Sequence, residues 1–453
     1  MFAIINPSKA SSRTLESLSQ LLSSNSVTAL PSLRNLAMCH QYDIEHIRQS
    51  ECACLLFARH TITKKRVVMK ILHKYKDTRY SLATPQDRQK SQLEALQLNK
   101  MFTPEIYLGL ARIRDFDRYK KVIVIDDVLN NPVNNSLESN AEYALVMEEL
   151  PQNSRLDYLL NTENKASLQR YLQLLTQHVA FMHKHINQEP SPISDEDNIQ
   201  WGSSKQLHRK LTHNLAFADL VLKKSRNGQC SVPYRWVSLA RNALAHTLEP
   251  NKYQRFLAFF DLILAESKSS QYVFYHKQLE SIKDGLTSVF AQIQYQQHFE
   301  QRVKNKCIKR CHADLKSTNI WIMPYNDSYA EVDDKRVLVL DAVDFNPLYS
   351  NIDILSDFAT LVVDVQARTK SLSLAKFMVE NYLQHTEQED EVSKSVLAYY
   401  LVEKAIVGAV VSILYDSLPA LGRSYLKVAE MRMEDLKSLV NGPKNTSDMA
   451  LIV

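Results

Sequence analysis

The chain has 453 residues, 45% hydrophobic and 23% charged, a balance that is ordinary for globular proteins and excludes a wholly disordered chain. This length exceeds the usual size of a single hydrophobic core, so two or more lobes are expected. The formal charge of +5 arises from 55 basic and 50 acidic residues interspersed along the chain. That bias is too weak to indicate nucleic acid or a membrane as a partner.

The cysteines and the first residues are typical of a cytoplasmic protein. Six cysteines in a chain of this length do not predict a disulfide framework, and we expect no apolar leader at the N-terminus. The longest apolar stretch, 405–415, is shorter than the roughly 20 residues that cross a bilayer, so it predicts a buried helix. Neither the pair Cys52 and Cys54 nor the pair Cys307 and Cys311, which His312 follows, has the spacing of a zinc site, and these cysteines are interpreted as reduced thiols.

The first third of the chain predicts a small sheet with one helix. Residues 1–43 are rich in serine and are expected to form a leader or cap. Short β-prone runs bounded by polar turns predict strands, and a polar stretch with regularly placed leucines and no breaker predicts a helix. The predicted elements are strands over 52–58, 67–72, 122–125 and 143–147 and a helix over 86–101.

The rest of the chain predicts a mainly helical region. Leu168, Leu172, Leu175 and Val179 repeat at three and four residues, which gives a helix one apolar face. Further helices are expected after Asp357, and a polar tail follows from 441. The predicted elements are a long helical region over 205–299, helices over 396–415 and 425–440, and two strands over 319–323 and 337–340.

The octet His312-Ala-Asp-Leu-Lys-Ser-Thr-Asn319 stands just before the first of these two strands, and the second strand ends at Asp341. This order brings Asp314, Asn319 and Asp341 to one edge of the predicted strand pair. Phosphoryl transfer needs a carboxylate that orients a hydroxyl and oxygen ligands for magnesium. Asp314 suits the first task and Asn319 with Asp341 the second, so the pattern predicts a kinase-like phosphotransferase.

Each of these residues also has a structural interpretation. His312 is expected to brace the loop, with a role as a base left open. A bare carboxylate at the end of a buried strand is costly unless it is paired or metal-bound, so metal ligation by Asp341 is favoured over a purely structural role. Lys70 ends a strand run, as expected for a lysine that reaches the α and β phosphates, although an ordinary exposed lysine is the alternative. Glu94 is the best-placed partner for it, with Glu105 nearby.

No glycine-rich loop is present, because the first glycine is Gly109. The sequence therefore does not predict a glycine-rich loop whose backbone amides bind the phosphates. Nucleotide is expected to be held instead by other loop amides, by Lys70 and by metal. Asp353 and Asp357 are expected to be helix-start and loop-bracing carboxylates, with contact to substrate as the alternative.

Together these residues make the chain resemble the aminoglycoside phosphotransferase-like kinases, and within them a bacterial branch, over about residues 45–440. The family usually has glycine where Ala313 stands and glutamate where Asp344 stands. The segments that carry the resemblance are Glu94 to Asn99, Pro104 to Gly109, Tyr143 to Met147 with Leu150-Pro151, Trp201-Gly202, Cys311 to Ile320, and Asp341 to Asn346 with Ile352-Asp353 and Asp357.

The resemblance implies an α+β, protein-kinase-like bilobal fold. The small β-rich N-lobe would span 44–151 and the large helical C-lobe 152–440, with the catalytic loop at 311–323, before a polar tail at 441–453. The helical insert over 205–299 would wall the acceptor site.

The resemblance also implies roles for single residues. ATP would lie in the cleft, with the adenine against Met147, Glu148 and Glu149 and the phosphates on Lys70. The catalytic residues would be Asp314 as the carboxylate, Lys316 near the transferred phosphoryl group and His312 in the loop, and the magnesium ligands would be Asn319 and Asp341.

Only 15 residues separate Asp341 from Asp357, which leaves no room for a protein-kinase activation segment, so a small-molecule acceptor is favoured. The excess of lysine and arginine over acids in the insert argues against an aminoglycoside itself. We therefore predict an ATP- and Mg-dependent phosphotransferase for a hydroxyl of a small molecule. A nucleotide-binding pseudokinase or regulatory module, favoured by the missing glycines, is the alternative, and a helical scaffold without nucleotide is a third. The sequence does not indicate the oligomeric state.

Overall fold

The computed structural model describes residues 39–49, 53–74, 82–117, 119–132, 137–138, 140–186, 201–222, 225–226, 229–230, 270–324, 335–344, 347–414 and 418–441. Most of the expected leader (1–43) and polar tail (441–453) and the middle of the expected insert (231–269) lie outside these residues. The chain divides into two units, Met1–Pro151 and Gln152–Val453. The first is rich in strands and the second is mainly helical, which confirms the α+β class.

Unit 1 contains six antiparallel strands that close into a barrel in the order β1-β2-β3-β6-β4-β5. The barrel closes because His40 on β1 pairs with Ile125 on β5. The strands are β1 (His40–Gln49), β2 (Ala53–His60), β3 (Arg66–Leu72), β4 (Tyr107–Asp117), β5 (Val122–Ile125) and β6 (Tyr143–Glu148).

The alternation of side chains along β3 decides which of its residues enter the barrel core. Val67, Met69 and Ile71 belong to the apolar cluster that fills the barrel. Because successive side chains of a strand point to opposite faces, Lys70 lies on the outer face. Its side chain is nevertheless buried, at 5% exposure.

The helix of unit 1, α1 (Pro85–Phe102), packs on β4 and β6. It begins with a capping box, in which the Thr84 hydroxyl accepts from the Asp87 N–H and the Asp87 carboxylate accepts from the Thr84 N–H. Its sheet-facing side is partly polar: the Gln92 amide donates to the carbonyl oxygen of Lys70 (2.7 Å). Buried polar residues of this kind explain why the apolar periodicity of this helix is weak in the sequence.

Four of the six strands and α1 were predicted, whereas β1 and β4 were not. β1 starts at His40, inside the segment expected to be a leader, and its sequence is polar, with only Tyr42 and Ile44 in the barrel core. β4 contains Gly109, at φ +148°, where an added Cβ would lie 2.2 Å from the carbonyl oxygen of Leu129. A strand with such a close backbone approach requires glycine there, and this glycine masks the β pattern.

Unit 2 is built around the helix α8 (Ile354–Thr369), which packs against four other helices. Its short strands form the pairs β9 (Ile308–Arg310) with β12 (Asn351–Asp353) and β10 (Ile320–Pro324) with β11 (Lys335–Val339). Two-residue strands β7 (Ser225–Arg226) and β8 (Gln229–Cys230) interrupt the region predicted to be helical throughout. The other elements are α2 (Leu156–Thr162), α3 (Lys165–His185), α4 (Ser204–Leu222), α5 (Ser270–Phe290), α6 (Ile293–Lys304), α7 (Pro347–Ser350), α9 (Leu372–Thr386), α10 (Glu391–Leu414) and α11 (Pro419–Asn441).

The most apolar helix, α10, is a core helix. Its stretch Glu391–Ser412 is long and apolar enough to cross a bilayer by length and composition, yet 72% of its most apolar window is buried inside the protein. It packs against α8 and α11. The prediction of a buried helix in this region is confirmed for the residues that the structure describes.

Candidate active site

The octet forms the loop between β9 and β10. Its last residue, Asn319, directly precedes β10, which pairs antiparallel with β11. The N–H of Leu340 donates to the carbonyl oxygen of Asn319 (2.9 Å), so the pairing continues to the residue before Asp341. The two strands therefore bring Asp341 to the end of the octet, as the sequence predicted.

His312 fastens the start of the octet. Its side chain is fully buried; Nε2 lies 3.0 Å from the carbonyl oxygen of Leu340, and Nδ1 accepts from the N–H of Asp314 (3.3 Å). Its own carbonyl oxygen accepts from the N–H of Val343 (3.0 Å). Burial lowers the pKa of the imidazole, which favours the neutral ring with Nε2 as the donor. His312 thus braces the loop, as expected.

Asp314 is held by two donors on one of its oxygens. Oδ2 lies 3.1 Å from Nζ of Lys316 and accepts from Nδ2 of Asn319 (3.0 Å). Burial opposes ionisation of this carboxyl, but the charges and hydrogen bonds around it, with Lys316 the strongest of them, together outweigh burial, and the pKa of Asp314 lies below its ordinary value. Oδ1 makes no hydrogen bond with the residues that the structure describes, and the side chain is 14% exposed. The result is a carboxylate that is fixed through one oxygen and makes no hydrogen bond through the other to the described residues.

Asn319 and Asp341 supply oxygen atoms of the kind that magnesium binds. Because Nδ2 of Asn319 is committed to Asp314, its Oδ1 is the atom left for a ligand. Asp341 is half-buried and has a φ of 62°, in the left-handed region that aspartate tolerates better than most residues. A carboxylate and an amide oxygen suit a hard cation that keeps several of its waters. These two residues therefore fit magnesium.

Asp357, in the first turn of α8, holds the start of the octet through hydrogen bonds to its backbone. Its fully buried carboxylate accepts from the N–H of His312 (3.1 Å) and from the N–H of Ala313 (2.8 Å). His183 lies 3.1 Å from the same carboxylate and 2.7 Å from the hydroxyl of Tyr382. The interpretation of Asp357 as a loop-bracing residue agrees with these contacts.

Asp364 holds the end of the octet and was not predicted. It follows Asp357 by seven residues, which puts both on one face of α8. Its Oδ2 accepts from the N–H of Ser317 (2.7 Å), and its Oδ1 accepts from the Tyr425 hydroxyl (2.5 Å) and from Nε of Arg368 (2.9 Å). Burial opposes its ionisation, but the Arg368 charge and the hydrogen bonds outweigh burial and lower its pKa. Two aspartates spaced by seven in an otherwise apolar helix were the signal available in the sequence.

Ala313 lies in the loop with a φ of 66°. This left-handed conformation is unstrained only for glycine. It gives a physical reason for the glycine that the family usually has at this position.

Asp353 caps α8 and does not face solvent. Its Oδ1 accepts from the N–H of Leu355 (2.9 Å), and Arg302 binds both of its oxygens through Nε (2.8 Å) and Nη2 (2.6 Å). The side chain is 1% exposed. The role as a helix-start carboxylate is therefore the one that its contacts support.

Three buried side chains beneath the loop, His183, Cys311 and Asp357, have potential ligand atoms within 4.8 Å of one another. The oxygens of Asp357 accept backbone N–H groups, and the imidazole of His183 is hydrogen-bonded at both nitrogens. Burial raises the pKa of the Cys311 thiol well above its ordinary value. This group is best described as a hydrogen-bonded support for the loop.

In unit 1, the predicted partner of Lys70 lies away from the strand. Glu94 is on the exposed side of α1, with a side chain 47% exposed and 3.9 Å from Lys90. A neutral side chain of α1, Gln92, donates to the backbone carbonyl oxygen of Lys70 on β3.

The predicted adenine segment, Met147 to Glu149, covers the last two residues of β6 and the residue after it. The N–H of Glu148 donates to the carbonyl oxygen of Ile106 (3.0 Å), and the N–H of Glu149 points to the carbonyl oxygen of Arg66 (3.5 Å). Met147 and Glu149 are partly buried and Glu148 is exposed. Adenine binding by this segment stays a prediction.

No protein-family model and no curated protein sequence matches the chain. Among solved structures, it is similar to Plasmodium vivax ethanolamine kinase, with 11% identity and a TM-score of 0.37 over 83% of this chain and 78% of that one. It is also similar to the choline kinase of Cryptosporidium parvum, with 12% identity and a TM-score of 0.43 over 89% of this chain and 92% of that one.

A third similar structure is the GDP and kanamycin complex of an APH(2″) aminoglycoside phosphotransferase, with 9% identity and a TM-score of 0.37 over 87% of this chain and 94% of that one. It is of the class that the sequence resembles, and all three structures have the protein-kinase-like fold. At such low identities and TM-scores these likenesses do not assign a function, which is inferred below from the loop and its contacts.

Proposed function

We propose that the protein is a phosphotransferase that transfers the γ-phosphoryl group of ATP to a hydroxyl of a small molecule. The observation that carries the proposal is the ionised carboxylate of Asp314, fixed through Oδ2 by Lys316 and Asn319, with an Oδ1 that makes no hydrogen bond to the described residues. A reaction with a loose transition state needs positioning and charge stabilisation more than covalent help. A rigid loop with one available carboxylate oxygen supplies the positioning.

Asp314 orients the acceptor hydroxyl by accepting its hydrogen bond at Oδ1. An effective general base has a pKa near the working pH, and the pKa of Asp314 is instead depressed. It therefore takes the proton late, once the new P–O bond makes the hydroxyl acidic. In this proposal orientation is its main contribution.

Lys316 serves two purposes in this proposal. Its ammonium, 3.1 Å from Asp314, keeps that carboxylate ionised, and it also balances negative charge on the transferred phosphoryl group. Lys70, on β3, binds the α and β phosphates. His312 acts on the reaction only through the position of the loop.

Asn319 through Oδ1 and Asp341 through its carboxylate would hold magnesium. The chemistry that magnesium would supply there is neutralisation of the charge on the phosphates of the nucleotide. The amide nitrogen of Asn319 meanwhile holds Asp314, so one side chain links the orienting carboxylate to the metal position.

The short span after Asp341 supports a small-molecule acceptor. Within 347–356 it forms α7, β12 and the start of α8, and β12 pairs with β9, which leads into the octet. This segment therefore braces the loop, and a separate segment that would dock a protein substrate is absent from the described part of it.

A nucleotide-binding module without turnover is the second candidate. The lack of a glycine-rich loop in the sequence favours it. Thermal stabilisation by ATP that requires magnesium, with no ADP formed at any protein concentration, would support this candidate over the enzyme.

The test of the proposed function is a screen of hydroxyl-bearing metabolites for magnesium-dependent ADP release. We expect one compound class to raise the rate above slow hydrolysis, and Asp314→Asn to lower the rate by roughly 10²-fold or more. Glu391→Gln, an exposed acid on α10, is the control and should leave the rate unchanged. Equal rates for the wild type and Asp314→Asn would contradict the proposal.

A further inference from the structure

Unit 2 contains a partly enclosed cavity whose lining includes no residue of the octet. Its volume is about 30 Å³, and a single water needs roughly 10–15 Å³ measured in the same way. Trp201 and Tyr400 supply aromatic walls, and the charged side chains that line it include Lys210 and Lys404. The cavity therefore has room for a small polar group between aromatic walls.

Lys210, on α4, lines this cavity without a hydrogen bond or ion pair to any residue that the structure describes. Burial lowers the pKa of its ammonium to about 8, with the nearby Lys404 acting in the same direction and Glu403 opposing both. The Lys210 side chain is partly buried, and a partly desolvated ammonium without an acceptor is unfavourable. An anion in the cavity would remove that cost.

The acidic side chains of the cavity are already engaged by other partners. Glu403 accepts from Nδ2 of Asn214 (3.0 Å) and lies 3.8 Å from Nζ of Lys404. Asp353 is bound through both oxygens by Arg302. With the second acid neutralised in this way, two lysines face one glutamate, and the cavity has a net positive charge.

We propose that this cavity binds the carboxylate or phosphate group of a small molecule, with Lys210 as its ionic partner and Lys404 beside it. The size fits such a group and not a whole metabolite. The site goes beyond the proposed phosphotransfer, since none of its lining residues belongs to the octet. It adjoins the loop support, because the lining residue Ser356 directly precedes Asp357 on α8.

The test is thermal unfolding of the full chain without nucleotide, titrated separately with acetate and with inorganic phosphate at constant ionic strength. The variants are Lys210→Met and, as a control on the same helix, Lys205→Met, since Lys205 is exposed. We expect a saturable rise in Tm in the wild type and in Lys205→Met, and an affinity at least about tenfold weaker in Lys210→Met. The stronger of the two probes identifies the ligand as a carboxylate or a phosphate.

The ligand-free proteins provide a second readout. Because Met removes a partly buried charge without an acceptor, Lys210→Met should melt at the same temperature as the wild type or higher. A lower Tm would mean that the ammonium has a structural role and would overturn the proposal. So would the absence of any stabilisation by either probe, or equal affinities in the wild type and Lys210→Met. None of these outcomes depends on phosphotransfer.

Discussion

Replacing Asp364 with asparagine separates positioning of the octet from stability of the fold. The carboxylate accepts from Ser317 on Oδ2 and from Tyr425 and Arg368 on Oδ1, whereas an amide offers only one accepting oxygen. The change also leaves Arg368, whose side chain is 15% exposed, without its ionic partner. Because a hydrogen bond to a charged group contributes about 1.5–3 kcal/mol, we expect the free energy of unfolding to fall by about 2–4 kcal/mol.

The matched control is Tyr425→Phe, which removes one donor to Oδ1 and leaves Ser317 bound to Oδ2. We expect it to cost about 1 kcal/mol of unfolding free energy without changing turnover. Asp364→Asn should instead lower kcat for ADP formation at least about tenfold, because the end of the octet loses its anchor, with little change in KM for ATP. Rates are measured well below the Tm of each variant, and urea unfolding gives the stabilities. Unchanged kcat in folded Asp364→Asn, or an equal loss in Tyr425→Phe, would refute the reasoning.

Three other changes test separate parts of the unit 2 structure. Ala313→Gly should raise the free energy of unfolding in urea by up to about 1 kcal/mol. Glycine relieves the strain of the left-handed backbone conformation in the folded protein, and this gain exceeds the entropic cost of ordering a more flexible residue. Ala313→Val should lower the free energy of unfolding. Arg302→Met leaves Asp353 buried and unpaired, so urea unfolding should show a loss of about 3–5 kcal/mol; a loss below 1 kcal/mol would contradict the pairing. The pKa values of Asp314 and Asp364 are depressed in the folded protein. Their stabilisation is therefore present above the unfolded pKa of about 3.9 and lost as pH falls through the folded values, and Asp364→Asn should flatten the acid limb of a Tm-versus-pH curve.

The sequence predicted the elements whose signals are local. Helix α1 was predicted within a residue at each end because its leucines lie in a stretch without a breaker that stops before Pro104, and the pair β10–β11 was predicted because each strand is a short apolar run. The position of Asp341 beside the octet followed from that pair. These features depend on neighbours in the chain, which a single sequence displays.

The parts that were missed depend on contacts between distant residues. Strand β1 is polar and is recognisable only through its pairing with β2 and β5. Asp364 lies 47 residues from Ser317, and His183 lies 174 residues from Asp357, so neither contact leaves a local pattern. The prediction for Glu94 depended on which side of α1 faces the sheet. Buried polar residues such as Gln92 lie on that side, so the spacing of apolar residues in the sequence does not identify it.

The most direct test of the central claim is the initial rate of ADP formation from ATP with and without magnesium, compared for the wild type, Asp314→Asn and Asp341→Asn. We expect magnesium-dependent turnover in the wild type, a loss of roughly 10²-fold or more in Asp314→Asn, and no magnesium-dependent turnover in Asp341→Asn. Magnesium-dependent rates that are the same in all three proteins would contradict the assignment of the octet and Asp341 as a phosphotransferase site.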